Sequence, residues 1–250
     1  MRSTASQSQG WPWPLHRRAV KRALDLAASS VALVILSPLF ATVSLAVKLS
    51  SPGPVFFRQE RIGRGGRRFR IWKFRTMVEG APHRGPHITA SGDPRVTPLG
   101  GLLRRAKVDE LPQLLNVWVG EMSLVGPRPE VPRYVDNYSD EDRPVLAIRP
   151  GITDLASITY RDEESVLAQF PHREQAYVTV LLPRKLALAR DYIRQQSLRF
   201  DLELLLRTLL VVVHPRHEAV ATAPVRESTG EGDARRPAAT DRFESPRITP

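Results

Sequence analysis

The sequence predicts an α+β fold that is mainly helical, with a broken membrane helix near its start, a small β-hairpin after it and interfacial amphipathic helices later on. Three observations predict it. Leu26 to Val47 is charge-free and apolar apart from Ser37-Pro38 and a few small polar residues. Two β-prone runs flank a glycine-rich tetrapeptide, and apolar residues recur at helical spacing in the second half.

The 250 residues, 42% of them hydrophobic, suffice for a real core, so wholesale disorder is excluded. A net charge of +11 points to polyanions: nucleic acid, lipid head groups or phosphorylated substrates. With no cysteine, disulfides and thiolate metal sites are excluded.

Residues 1–16 lack periodicity and read as a flexible leader whose Trp11 and Trp13 suit a membrane interface. The apolar run exceeds the ~18 residues of a membrane helix. Pro38 removes one backbone hydrogen bond and predicts a kink, with the Ser37 hydroxyl placed to cover a freed carbonyl. Basic residues lie on both sides, Arg17, Arg18, Lys21 and Arg22 before the run and Lys48, Arg58 and Arg61 after it, so both ends are drawn to the cytoplasm. The residues alone leave a kinked full span and a re-entrant helix both open.

After the turn signal Ser51-Pro52-Gly53-Pro54, the runs Val55–Glu60 and Phe69–Phe74 predict a hairpin turning at Gly63-Arg64-Gly65-Gly66. Val78–Gly92 lacks periodicity and reads as an exposed, mobile loop, where His83 and His87 read as solvated rather than metal-binding. Thr97-Pro98 is a helix start, and Leu99, Leu102, Leu103 and Ala106 continue at helical spacing. Pro112 predicts a second helix capped by Asp109, with Leu114, Leu115 and Trp118 on one face and Gly120 at its end. Leu181–Val213 is helical in pattern, and its apolar end is too short to span a membrane and suits the interface. Residues 216–250 read as a disordered tail.

Four basic residues could bind phosphate: Lys73 and Arg75, which strand alternation places on one face, Arg104, and Arg128, held between Pro127 and Pro129. Asp109-Glu110 lies beside Arg104, Arg105 and Lys107 at a helix start, where cations keep a carboxylate ionised, and an ionised carboxylate can be a covalent nucleophile. Spacing alone favours the plainer reading, in which Asp109 caps and Glu110 is a first-turn acid.

Together these segments resemble the bacterial sugar transferases, the monotopic phosphoglycosyl transferases, over about residues 17–214. The resemblance rests on Lys21-Arg22-Ala23-Leu24-Asp25, Ser37-Pro38, Pro54–Gln59, Trp72–Met77, Asp93–Pro98, Asp109–Gln113, Met122–Pro129 and Arg149-Pro150-Gly151. It implies a re-entrant membrane helix at 17–50 broken at Ser37-Pro38, a cytosolic catalytic domain at 51–215, and a bacterial inner-membrane location facing the cytoplasm. Asp109 becomes the nucleophile and Glu110 its partner. The β-phosphate of a UDP-sugar passes to Asp109, UMP leaves, and the phosphosugar moves to polyprenyl phosphate. Lys73 and Arg104 take phosphate oxygens and Arg128 helps bind the nucleotide, while Mg2+ is expected near Asp109 and Glu110.

The chain departs from the commoner pattern after Gly151, where Ile152–Ser157 carries Asp154 and Ser157 in place of Gly and Gln, which leaves the sugar unassigned. Membrane lipid is an implied partner, and a homodimer is left open. A nucleic-acid protein is disfavoured because no recognised motif or aromatic stripe accompanies the arginines. The remaining alternative is a non-catalytic membrane-anchored scaffold.

Overall fold

Pro38 shapes the amino-terminal end of the molecule. In the computed structural model, which describes residues 14–81, 85, 88–89, 92–161 and 163–213, helices α1 (Leu15–Ile35) and α2 (Ser37–Ser50) meet at Leu36 with a bend of 60°. Pro38 has no N–H to offer the Val34 carbonyl, and the Ser37 hydroxyl donates to that carbonyl at 2.8 Å instead. Among the described residues no single helix is long and apolar enough to cross a membrane, whereas the bent pair passes that test together. Trp11, Trp13, His83, His87 and the 216–250 tail lie outside the described residues.

Helix α1 inverts the pattern of a soluble helix. Lys21, Asp25 and Ser29, four residues apart, are its buried side chains, while Leu24, Val31, Val34 and Ile35 are exposed. Lys21 Nζ donates to the Val125 carbonyl at 3.0 Å and is paired with Asp201. Asp25 accepts from the Ser123 hydroxyl (2.8 Å) and the Leu124 N–H (3.1 Å).

The hairpin joins β1 (Phe56–Ile62) to β2 (Arg68–Phe74) in antiparallel register, Phe56 opposite Phe74, and turns through Gly65 and Gly66. As the alternation requires, one face packs Phe56 and Phe74 on Phe40, Val43 and Val47 of α2 and Leu103, and the other packs Phe69 and Ile71 on Val117 and Met122. The loop beyond is less open than its composition suggests, because Ala81 and Ile88 are buried and Arg95 Nη1 donates to the Ala81 carbonyl at 3.1 Å.

Helix α3 (Pro98–Arg105) starts as its sequence predicts, with Thr97 Oγ1 accepting from the Gly100 N–H at 2.9 Å. Only glycine fits at 100, since a Cβ there would lie 2.0 Å from the Thr76 carbonyl oxygen. Lys107 then adopts φ 57°, and the chain makes a 3₁₀ turn over Val108–Gln113 that absorbs Pro112. This corrects the capping assignment: Asp109 lies inside that turn and caps nothing. Helix α4 (Leu114–Val119) ends at left-handed Gly120, and its buried face is Leu114, Asn116 and Val117, with Trp118 half exposed.

A second sheet, unforeseen in the sequence, pairs β3 (Ser123–Val125) with β4 (Gly151–Thr153) in parallel. Short helices α5 (Pro132–Val135), α6 (Leu155–Thr159), α7 (Glu163–Ala168) and α8 (Arg173–Ala176) follow the loops, and a π turn, Tyr177–Leu181, runs into α9 (Leu182–Gln195). The pattern read as one helical stretch breaks at Gln196-Ser197 before α10 (Leu198–Val213), which buries Asp201 and Leu204 and exposes Leu202, Leu206, Leu209 and Leu210.

Candidate active site

Four elements converge on Asp109 and Glu110. The left-handed Lys107 turns the chain sharply after α3 and aims the two carboxylates of the 3₁₀ turn toward β2. Lys73 reaches across from β2 and donates to Glu110 Oε1 at 2.7 Å. Arg128, on the loop after β3, grips the same carboxylate with both terminal nitrogens, Nη2 to Oε1 at 2.5 Å and Nη1 to Oε2 at 3.2 Å. This is the bidentate geometry that a guanidinium fork favours.

The two adjacent carboxylates sit in opposite environments. Burial raises the pKa of Glu110, but Arg128 and Lys73 outweigh it and hold the group well below the usual carboxylate range. Burial pushes the Asp109 carboxyl up, with Lys73, Arg104 and Lys107 pulling it back only in part and Glu110 adding to the rise. Asp109 Oδ1 is buried and has no hydrogen-bond donor. A buried oxygen without a donor costs free energy on the order of 1–3 kcal/mol, so it is a candidate for contact with something that binds.

Arg104 stands at the end of α3, its Nε donating to Thr76 Oγ1 at 3.0 Å and its Nη1 to Glu164 at 2.8 Å. Arg75 is not brought to this group. Its guanidinium lies under the end of α2, donating to the carbonyls of Val47, Ser51 and Pro52.

Asp154 is a further residue of the site. Its carboxylate accepts from the Ser157 N–H (2.8 Å) as the cap of α6 and from the Arg128 backbone N–H (3.3 Å), which fixes the loop that presents Arg128. The Asp154-to-Ser157 spacing is a helix-start signal, readable in the sequence as a cap though not as a hold on Arg128. Behind the loop, buried Glu130 accepts from Tyr177 OH (2.5 Å) and Lys185 Nζ (3.2 Å), and Lys185 also pairs with Glu163 at 3.3 Å.

Four cations, Lys73, Arg104, Lys107 and Arg128, therefore act on the two carboxylates, an arrangement able to take up anionic oxygens. Asp109 Oδ1, a hard oxygen with no donor, also fits a divalent cation; Glu110, with both oxygens engaged, does not in this arrangement. Among the described residues no three metal-binding side chains cluster.

The model of the bacterial sugar transferase family matches residues 16–215. A UDP-N-acetylgalactosamine-undecaprenyl-phosphate N-acetylgalactosaminephosphotransferase of Aeromonas hydrophila is 42% identical, over 56% of this chain and 34% of its own length. A UDP-glucose:undecaprenyl-phosphate glucose-1-phosphate transferase of Caulobacter vibrioides is 42% identical over 78% of this chain and 72% of its own length. The exopolysaccharide production protein ExoY of Rhizobium meliloti is 37% identical over 77% of this chain and 84% of its own length. The chain thus spans about a third of the first relative and most of the other two.

Proposed function

The chain belongs to the bacterial sugar transferase family, and from that premise we propose that it moves a sugar phosphate from a UDP-sugar to polyprenyl phosphate through a covalent phosphosugar on Asp109. The observation that carries the proposal is the buried carboxylate pair: Glu110 held by Lys73 and Arg128, and Asp109 beside it with an oxygen that has no donor.

In the first step an Asp109 oxygen attacks the β-phosphorus of the UDP-sugar. The bond from that phosphorus to the oxygen bridging the two phosphates breaks, and UMP leaves with the bridging oxygen. In the second, a phosphate oxygen of the polyprenyl phosphate attacks the phosphorus on Asp109. The carboxylate is released and a polyprenyl diphosphate sugar forms. Glu110 holds Lys73 and Arg128 in place, and being kept ionised by them it serves as a fixed charge rather than as a base. Arg104 binds phosphate by exchanging Glu164, a partly exposed partner whose loss costs little. Asp109 Oδ1 would be the residue atom to hold Mg2+, which would supply neutralisation of the diphosphate charge.

Two of the relatives are named for UDP-sugar donors and undecaprenyl phosphate, and a third is an exopolysaccharide production protein. This chain accordingly starts a lipid-linked glycan, for exopolysaccharide, O-antigen or a glycoconjugate. Helices α1 and α2 form a re-entrant hairpin in the inner membrane, α10 lies in its interface, and the site faces the cytoplasm. The apolar outer face of α1 and the exposed leucines of α10 support this placement. The deciding test is UMP release by detergent-purified protein over a panel of UDP-sugars, with polyprenyl phosphate and magnesium. Release that Asp109→Asn abolishes supports the reaction, and folded protein silent on every donor sinks it.

A further inference from the structure

Helix α7 opens on two adjacent acids that serve different neighbours. Glu163 Oε2 accepts from Lys185 Nζ at 3.3 Å, in the network behind the Arg128 loop, whereas Glu164 Oε1 accepts from Arg104 Nη1 at 2.8 Å, beside the carboxylate pair. Leu167, one turn on and 2% exposed, sinks into the apolar cluster that holds Tyr177 and Leu182. The first acid and the leucine moor α7, and the second acid is held out to the site.

The Arg104–Glu164 pair keeps an unused half on each side. Among the described residues Glu164 Oε2 and Arg104 Nη2 make no hydrogen bond, and the Glu164 side chain is 46% exposed. Arg104 itself is fixed, because its Nε donates to Thr76 Oγ1 at 3.0 Å. Its charge acts on Asp109, whereas that of Arg128 acts on Glu110. Arg104 is therefore the arginine for the phosphate that Asp109 attacks, the one to which the sugar is joined. A phosphate oxygen on this guanidinium lies about 5 Å from the Glu164 carboxylate, two hydrogen-bond lengths across the fork. The ring hydroxyls nearest the anomeric carbon come within the same reach. An ionised carboxylate can only accept, and hydroxyl hydrogens are what an uncharged sugar has to donate. Arg104 stands between the two anions, so the phosphate does not drive the carboxylate away.

We propose that Glu164 reads the sugar of the donor: once phosphate displaces it from Arg104, its carboxylate accepts from ring hydroxyls of an uncharged pyranose and so helps to decide which UDP-sugar is used. The inference rests on the phosphate-binding role given to Arg104 above.

The test is equilibrium titration of the detergent-solubilised full chain carrying Asp109→Asn, which binds donors without taking up their phosphosugar. The probes are UDP-glucose, UDP-galactose, UDP-N-acetylglucosamine, UDP-N-acetylgalactosamine and UDP alone. The readout is the ratio of dissociation constants between the weakest and the tightest of the four sugars, expected to be about ten-fold or more, as for hydrogen bonds to a charged acceptor. Adding Glu164→Ala removes most of that spread, while UDP binds as well or more tightly, because Arg104 has lost a competing carboxylate. Glu164→Gln, which still accepts a hydrogen bond, keeps part of the spread. A spread untouched by Glu164→Ala, or absent with Glu164 in place, overturns the proposal. Equal weakening of UDP and every UDP-sugar overturns it too, and leaves Glu164 as a brace for Arg104. UMP release by the wild-type chain tests the reaction separately. Protein that sorts sugars through Glu164 yet releases no UMP sinks the covalent step and keeps this role, and turnover with a spread indifferent to Glu164 does the reverse.

Discussion

The loop Pro127–Glu130 divides two buried ionic clusters that obey different rules. On one side Glu130, Lys185, Tyr177 and Glu163 form a network in which Glu130 has two donors and Lys185 three acceptors. On the other, Glu110 is equally well matched by Lys73 and Arg128, but Asp109 beside it keeps an oxygen with no donor. The matched network holds the loop, and the unmatched oxygen is where a ligand gains most. Natural structures tend to leave buried polar groups unsatisfied at working sites.

The largest effect expected is that of Asp109→Asn on UMP release, a loss on the order of 10⁴-fold or more for a missing nucleophile. Its melting temperature should hold or rise, because a desolvated carboxyl has been removed. A large destabilisation would mean that Asp109 is structural after all and would break the contrast. Glu110→Gln should lower both readouts, activity by about 10²-fold or more and stability by about 3 kcal/mol, since Lys73 and Arg128 lose a buried counter-charge. Chemical denaturation alongside the activity assay separates the two.

Lys185→Met should cost about 3 kcal/mol in denaturation while UMP release per folded molecule changes far less. Loss of activity without loss of stability would put Lys185 in the working site. The same network sets a pH dependence. Burial opposes ionisation of Glu130, but Lys185 and Arg61 hold its folded pKa below the unfolded value, so its stabilisation is present above that value and fades as pH falls through the folded one. The folded Lys185 is raised, so its share is present below the unfolded value, about 10.4, and fades as pH rises through the folded one. The denaturation gap between wild type and Glu130→Gln should therefore narrow below about pH 4. A gap independent of pH would show that packing, not charge, holds the network. The smallest effect is that of Ser37→Ala, about 1 kcal/mol for one hydroxyl-to-carbonyl bond, read from the melting temperature in detergent.

What could be read from the sequence was what local chemistry dictates. Thr97 before Pro98, Gly120 after α4, the alternating Phe69–Phe74 and the Ser37-Pro38 break each act within a few residues, and each stands where its pattern placed it. Asp109-Glu110, Lys73 and Arg128 were legible as candidates, and the fold brings them together. The misses are long-range. Strands of three residues carry no periodicity, so β3 pairing with β4 had no signal. Lys185 lies 55 residues from Glu130, a separation that no local pattern bridges. Its alignment with Tyr177 needs the π turn, whose extra residue makes a separation of eight act like seven, about two full helical turns. Arg75 matched the phosphate-binding pattern but was claimed by backbone carbonyls of α2 that only the fold delivers. Asp109 looked like a cap because nothing local announces that Lys107 turns left-handed.

The polar stripe Lys21, Asp25 and Ser29 makes α1 a subunit-like part rather than a tether. A generic hydrophobic anchor in its place would leave Ser123 and the Leu124 N–H without Asp25, and Asp201 without Lys21. Helix and fold are thereby fused: the rest of the chain can reach its final form only once its own first helix has docked on it, so α1 is part of the folded unit and not an appendage.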